Sequence, residues 1–205
     1  MSEPVRHIVF DIGKVLIHYD PELAFSRAIP DSARRRWFFE NVCTPEWNIE
    51  QDRGRPWAEA EALLIERFPE EEENIRGFRR NWQEMVPHAH DDTVAIMERL
   101  IDGGHDVTML TNFAADTLAE ARTRFGFLGR PRGVTVSGEV RLIKPQREIY
   151  EHHVREFGLA PAHTLFIDDS ATNVRGAIDA GWQAVQFVDA STLTRDLSAR
   201  GIAVA

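Results

Sequence analysis

The feature that most constrains the fold is an alternation of short apolar runs with helical segments after residue 91. Apolar runs at 107–110, 134–136, 164–167 and 184–188 alternate with helical patterns near 91–101, 114–125, 145–157, 171–180 and 191–199. This rhythm is typical of a parallel sheet covered by helices on both faces. The earlier run Ile8-Val9-Phe10 has no helical spacing, so we predict a further buried strand there.

The segment from residue 19 to residue 87 has a different character. It holds four of the five tryptophans and no β-branched run, and we predict helices near 22–29, 31–41, 56–68 and 71–85. We therefore divide the chain into a core formed by residues 1–18 and 88–205 and a helical insertion at 19–87.

Composition excludes several classes of protein. With 205 residues, 43% of them hydrophobic, the chain is long enough for a real core. A formal net charge of -9 argues against nucleic-acid binding, and the single Cys43 excludes an internal disulfide framework. No signal peptide and no membrane-spanning stretch is evident, because a span needs ~20 apolar residues. We expect a cytoplasmic protein, a monomer or weak homodimer, with no nucleic-acid or membrane partner.

Polar residues follow three of the predicted strands, namely Asp11, Thr111-Asn112 and Asp168-Asp169. The carboxyl ends of parallel strands meet at one edge of a sheet, where open α/β sheets bind ligands. Paired carboxylates repel each other unless a cation lies between them, and all-oxygen ligands suit Mg²⁺. Lys144, just before Pro145, could add a positive charge. Taken singly, the acids and Thr111-Asn112 could be turn or helix caps, and Lys144 could be a surface lysine.

Together these residues resemble the haloacid dehalogenase superfamily. The resemblance rests on four motifs in order: Val9-Phe10-Asp11, Thr111 with Asn112, Lys144-Pro145, and Phe166-Ile167-Asp168-Asp169. It implies an α/β hydrolase with a Rossmann-like parallel-sheet core, and the helical insertion resembles the type-1 cap of that superfamily.

The resemblance implies a Mg²⁺-dependent phosphatase of a small phosphorylated metabolite. Asp11 would be the nucleophile that forms an aspartyl-phosphate. Mg²⁺ would be held by Asp11, the backbone carbonyl of Gly13 and Asp169, with Asp168 as an outer or water-mediated partner. Thr111 and the neighbouring Asn112 amide would bind phosphoryl oxygens, and Lys144 would neutralise charge and orient Asp11.

Gly13 is the main departure from that pattern. Most phosphatases of the superfamily carry a second Asp there as general acid/base, whereas the form Asp11-Ile12-Gly13-Lys14-Val15 is similar to a subgroup that includes α-D-glucose-1-phosphate phosphatase. A sugar phosphate is therefore one candidate substrate. His18 and Asp20 are weak candidates for a substitute acid, and Lys14 either adds charge to the phosphate site or points to solvent.

We expect the helical insertion to select the substrate. Trp47, with Asn48, Gln51 and Asp52, could form a wall facing a sugar, although Trp47 could equally be a core residue. We expect most of the remaining histidines at the surface. Two alternative functions stay open: a 2-haloacid dehalogenase, in which Asp11 attacks carbon without a metal, and a binding protein that has kept the fold and lost turnover.

Overall fold

The structure, a computed structural model, describes residues 3–204. Its centre is a sheet of five parallel strands in the order β3-β2-β1-β4-β5. The strands are β1 (His7–Phe10), β2 (Asp106–Thr111), β3 (Val134–Val136), β4 (Thr164–Asp168) and β5 (Gln183–Gln186). The predicted α/β fold with a parallel sheet is confirmed, and β1 lies between the two other strands that end in the predicted polar residues.

Six helices after β1 form the predicted insertion. They are α1 (Pro21–Phe25), α2 (Ser32–Asn41), α3 (Pro45–Asp52), α4 (Trp57–Arg67), α5 (Glu72–Arg80) and α6 (Trp82–Met85). Helix α3 was not predicted, although it carries a start signal: the Thr44 side chain accepts a hydrogen bond from the Trp47 N–H, and Pro45 occupies the first turn. The single helix predicted over 71–85 is two helices, separated at Asn81.

The other helices cover both faces of the sheet. They are α7 (Asp91–Asp102), α8 (Ala115–Arg124), the short α9 (Ser137–Val140), α10 (Arg147–Phe157), α11 (Ala171–Asp179) and α12 (Ala190–Ser198). Successive side chains of a strand point to opposite faces. Accordingly, Ile8 and Phe10 belong to a cluster with residues of α7, α8 and α12, whereas Val9 belongs to a second cluster with residues of α10 and α11.

Two linkers join the six-helix segment to the sheet. One contains Leu16 and His18, the other contains His88 and His90, and their backbones are hydrogen-bonded to each other. The His18 N–H donates to the His88 carbonyl at 3.0 Å, and the His90 N–H donates to the Leu16 carbonyl at 2.9 Å. The rings of His18 and His88 stack with centroids 4.9 Å apart. We call the helices α1–α6 the cap, since these linkers attach them beside the carboxyl end of β1.

His153 departs from the prediction of surface histidines. It is fully buried beneath the sheet, and its ring nitrogens lie 2.9 Å from the Thr108 hydroxyl and 2.7 Å from the Thr135 hydroxyl. Burial lowers the pKa of His153 to about 3, so the ring is neutral and structural. Among the helices of residues 3–204, none combines the length and the apolar character that crossing a bilayer requires.

Candidate active site

Three adjacent strands bring Asp11, Thr111 and Asp168 to the same edge of the sheet. β1 pairs with β2 on one side and β4 on the other, and the Asp11 N–H donates to the Ile167 carbonyl at 2.9 Å. Asp11 is 7% exposed, Thr111 is 1% exposed and Asp168 is completely buried. Asp11, Thr111 and Asp168 therefore lie at one edge of the sheet, as expected from the positions of the strand ends.

Lys144 connects the two buried carboxylates. Its Nζ lies 2.8 Å from Asp11 Oδ1 and 2.6 Å from Asp168 Oδ2, and it donates to the Leu110 carbonyl at 3.1 Å. These three contacts match the three N–H donors of an ammonium group. Although burial alone would lower it, the charges of Asp11 and Asp168 raise the pKa of Lys144. Lys144 is thus a fixed positive charge rather than a surface lysine.

The Asn112 side chain positions the backbone of Lys144. Its amide donates to the Lys144 carbonyl at 3.0 Å, and its carbonyl accepts the Lys144 N–H at 2.9 Å. One Asn112 side-chain N–H and its carbonyl oxygen are thus engaged by Lys144, and binding of phosphoryl oxygens by the Asn112 amide stays a prediction. Gly176 in α11 supports the same loop, because a Cβ there would lie 2.6 Å from the Pro145 carbonyl oxygen.

The three acids form a candidate metal site. One carboxylate oxygen from each of Asp11, Asp168 and Asp169 lies within 4.8 Å of the other two. Three carboxylates against the single ammonium of Lys144 leave two excess negative charges, which a divalent cation would balance. An all-oxygen donor set suits Mg²⁺, which keeps several of its waters. The residues present therefore fit the metal that the sequence motifs imply.

Asp168 has fewer free lone pairs than the other two acids. Its carboxylate accepts hydrogen bonds from the Ser170 N–H at 2.8 Å and from the Asn173 amide at 3.0 and 3.2 Å, in addition to Lys144. Asp11 and Asp169 are consequently better placed to hold a cation directly. Asp168 is better placed to orient Lys144, which agrees with an outer position at the metal.

Burial makes ionisation of Asp11 and Asp169 unfavourable without a cation. Burial and the negative charge of Asp168 raise the pKa of Asp11, and the ammonium of Lys144 opposes them. Burial and the charge of Asp168 also raise the pKa of Asp169. A bound cation would favour the ionised carboxylates and so lower both pKa values.

A small cavity lies between the sheet edge and the cap. Its volume is about 100 Å³. The core contributes Gly13 and Asn112 to its wall, and the cap contributes Asn48, Asp52, Trp57 and Trp82. A Cβ built on Gly13 would have no atom of a non-neighbouring residue within 4 Å. The position of the missing acid is therefore open space inside the cavity.

Trp47 does not line this cavity. Its ring packs among the aromatic side chains of the cap, with centroids 6.0 Å from Trp57 and 5.3 Å from Phe78, and its indole N–H donates to the Ala60 carbonyl at 3.3 Å. The prediction of substrate contact by Trp47 is not supported, because the ring faces the interior of the cap. Helix α3 instead directs Asn48 towards the cavity.

The weak candidates for a substitute acid also lie elsewhere. Asp20 caps α1 by accepting a hydrogen bond from the Glu22 N–H at 2.9 Å, and His18 stacks on His88; neither lines the cavity. Lys14 is exposed and has a positive φ of 60°. Its charge lowers the pKa of Asp169 against the larger effect of burial, so it lies near the acidic cluster.

Comparisons with known proteins identify the family to which this fold belongs. A family model described as haloacid dehalogenase-like hydrolase matches residues 5–181, so the chain belongs to that family. The chain is also similar to flavin mononucleotide hydrolase 1, a chloroplastic protein of Arabidopsis thaliana. The identity is 43% over 61 residues, which are 30% of this chain and only 25% of that relative's length.

Solved structures share the fold over nearly the whole chain. A predicted HAD-like family hydrolase from Porphyromonas gingivalis superposes with a TM-score of 0.75 at 23% identity, covering 95% of this chain and 98% of that one. The HAD family enzyme bt-2542 from Bacteroides thetaiotaomicron, in complex with magnesium and inorganic phosphate, superposes with a TM-score of 0.70 at 18% identity, covering 90% of this chain and 95% of that one. At these identities the likeness shows the fold alone.

Proposed function

We propose that this protein is a Mg²⁺-dependent phosphatase of a small phosphorylated metabolite and works through an aspartyl-phosphate on Asp11. The observation that carries the proposal is the grouping of Asp11, Asp168 and Asp169 within 4.8 Å, with Lys144 bridging two of them. A nucleophilic carboxylate beside a cation site is the arrangement that attack on a phosphate dianion requires, since the cation offsets the repulsion between two anions.

The contacts of Asp11 fix its orientation for attack. Its Oδ1 accepts the Ile12 N–H at 2.7 Å and lies 2.8 Å from the Lys144 ammonium. We assign the attack on phosphorus to the other oxygen, Oδ2. A Mg²⁺ ion held by Asp11, the Gly13 carbonyl and Asp169 would supply positive charge to the transferring phosphoryl group. Thr111, at the end of β2, is assigned to binding a phosphoryl oxygen.

Two relatives and the size of the cavity support this substrate class. The neighbour bt-2542 was crystallised with magnesium and inorganic phosphate, and flavin mononucleotide, the substrate named for the Arabidopsis relative, is a phosphate monoester. The cavity of about 100 Å³ is smaller than the ~300–1,000 Å³ of typical ligand pockets. This small cavity favours a compact phosphate ester, such as a sugar phosphate, and a second cavity of about 690 Å³ that shares Tyr19, Asn48 and Asp52 with it offers room for a larger one. We keep the cytoplasmic location and the monomer or weak homodimer as part of the proposal.

Phosphate release from a panel of phosphorylated metabolites and p-nitrophenyl phosphate tests the proposal. We expect release that requires Mg²⁺, stops with EDTA and is abolished in Asp11→Asn. The matched control, Asp102→Asn, removes an exposed carboxylate that pairs with Arg130 on the surface and should keep full activity.

Three results would contradict this function. Absence of phosphate release from every ester in the presence of Mg²⁺ would overturn it. Halide release from 2-haloacids without metal would favour the dehalogenase, and trapping of beryllofluoride without any turnover would favour a binding protein.

A further inference from the structure

The cavity that contains the open space beside Gly13 is also lined by an acidic residue of the cap. Asp52 is the last residue of α3 and lines the same cavity as Gly13 and Asn112. Because a Cβ at Gly13 would have no atom of a non-neighbouring residue within 4 Å, a leaving group can occupy the gap between Gly13 and Asp52.

Contacts with the core hold Asp52 at this place. The Ser137 hydroxyl, at the start of α9, donates to the Asp52 backbone carbonyl. Two residues further on, Gly54 has a φ of 102°, and a Cβ there would lie 2.9 Å from the Gly138 carbonyl oxygen. Both the backbone conformation and the close approach require glycine. The end of α3 is therefore fixed against the core, so that Asp52 is part of the closed cavity wall.

Asp52 is the acid in the described cavity wall that can both donate and take back a proton near neutral pH. Among the described residues that line it, Asp52 and Tyr19 are the titratable ones, and burial raises the pKa of Tyr19 above its usual value. Lys144 faces Asp52 from the core, but its pKa is raised by two carboxylates, so it keeps its proton. Lys14 borders a second cavity that Asp52 also lines.

The environment of Asp52 suits proton transfer near neutral pH. Burial raises the pKa of Asp52 to about 7, against the opposing effects of a hydrogen bond from the Ala114 backbone and the charge of Lys144. The Asn48 amide donates to Asp52 Oδ2 at 3.4 Å, which orients the carboxyl group. A general acid is most effective when its pKa lies near the operating pH.

We infer that Asp52, supplied by the cap, is the general acid/base that replaces the acid absent at Gly13, an inference that rests on the proposed phosphatase activity. In the first step, Asp11 Oδ2 bonds to phosphorus. The bond from phosphorus to the leaving oxygen breaks with its electron pair on that oxygen, which takes the proton of the Asp52 carboxyl. In the second step, a water oxygen bonds to phosphorus and gives its proton to the Asp52 carboxylate. The bond to Asp11 then breaks with its electron pair on the Asp11 carboxylate, and phosphate is released.

The test compares two esters that differ in their need for an acid. An alkyl phosphate has a poor leaving group that must be protonated, whereas p-nitrophenolate leaves without a proton. For Asp52→Asn we expect kcat/KM to fall ~10²–10⁴-fold on the alkyl phosphate and less than about tenfold on p-nitrophenyl phosphate. In the wild-type protein, kcat/KM for the alkyl ester should decline as the pH rises above about 7, and this decline should be absent in Asp52→Asn.

Controls separate proton transfer from binding and folding. Glu50→Gln removes a half-buried acid from the same helix, one that pairs with Arg53, and should leave both esters unchanged. Asp52→Ala should reproduce the split between the two esters, and its melting temperature reports whether it folds. An equal fall on both esters, or no fall on either, would overturn the role of Asp52 while the phosphatase proposal stands. If the wild-type protein hydrolyses no ester of the panel in the presence of Mg²⁺, the phosphatase proposal fails and this inference fails with it.

Discussion

Replacing Lys144 by Met tests the buried charge cluster on which the site depends. The ammonium is 1% exposed and lies 2.8 Å from Asp11 and 2.6 Å from Asp168. At an effective dielectric constant of about 20, each attraction is worth about 6 kcal/mol before desolvation is subtracted. Removing the cation leaves two buried carboxylates without that partner, and the loss of one partner of a buried ion pair costs about 3–5 kcal/mol.

The expected result is a fall in melting temperature without added metal at pH 7.5. For a chain of this length, each kcal/mol corresponds to roughly 2–4 °C, so Lys144→Met should melt about 6–20 °C below the wild type. The difference should shrink at pH 5, because burial raises the pKa of Asp11 and its protonation removes the repulsion between the two carboxylates. Differential scanning calorimetry measures both values.

A surface control decides whether the charge cluster is the cause. Arg147→Met removes an exposed cation that pairs with Glu151 one helical turn away, and surface ion pairs contribute little to stability. This variant should melt within a few degrees of the wild type. If Lys144→Met melted as close to the wild type as this control does, the cluster described for Asp11, Lys144 and Asp168 would be refuted.

Three further predictions concern single residues. Asp52 has a pKa of about 7 in the fold against an ordinary value of 3.8, so wild-type stability should fall as pH rises from about 4 to about 7. Asp52→Asn should therefore gain of order 2–4 kcal/mol over the wild type at pH 8 and much less at pH 4; a pH-independent difference in denaturant titrations would contradict this. Gly176→Ala places a Cβ 2.6 Å from the Pro145 carbonyl oxygen and should lose about 1–3 kcal/mol together with phosphatase activity, whereas Gly126→Ala, which has open space, should lose no activity. Asp169→Asn should abolish the rise in melting temperature that Mg²⁺ gives the wild type, a rise worth about 2.7 kcal/mol at a hundredfold excess over Kd; an undiminished rise would exclude Asp169 as a ligand.

Local patterns along the chain were sufficient to predict the sheet and the polar residues at its edge. Apolar runs such as Ile8-Val9-Phe10 carry enough information because a strand buried on both faces must be apolar throughout. The acids that follow Phe10 and Ile167 could then be placed together, since parallel strands end at one edge of the sheet. Even the missed helix α3 had a readable start at Thr44 and Pro45.

Only the packing of distant segments decided what the remaining side chains contact. Asn112 binds the backbone of Lys144, which lies 32 residues away, and the Asp52 carbonyl accepts from Ser137 across 85 residues. Helical periodicity shows which residues share a face but not what lies opposite that face. For this reason Trp47 and Asp52, which the sequence pattern grouped in one candidate wall, have different surroundings: the Trp47 ring packs inside the cap, whereas Asp52 lines the cavity beside Gly13.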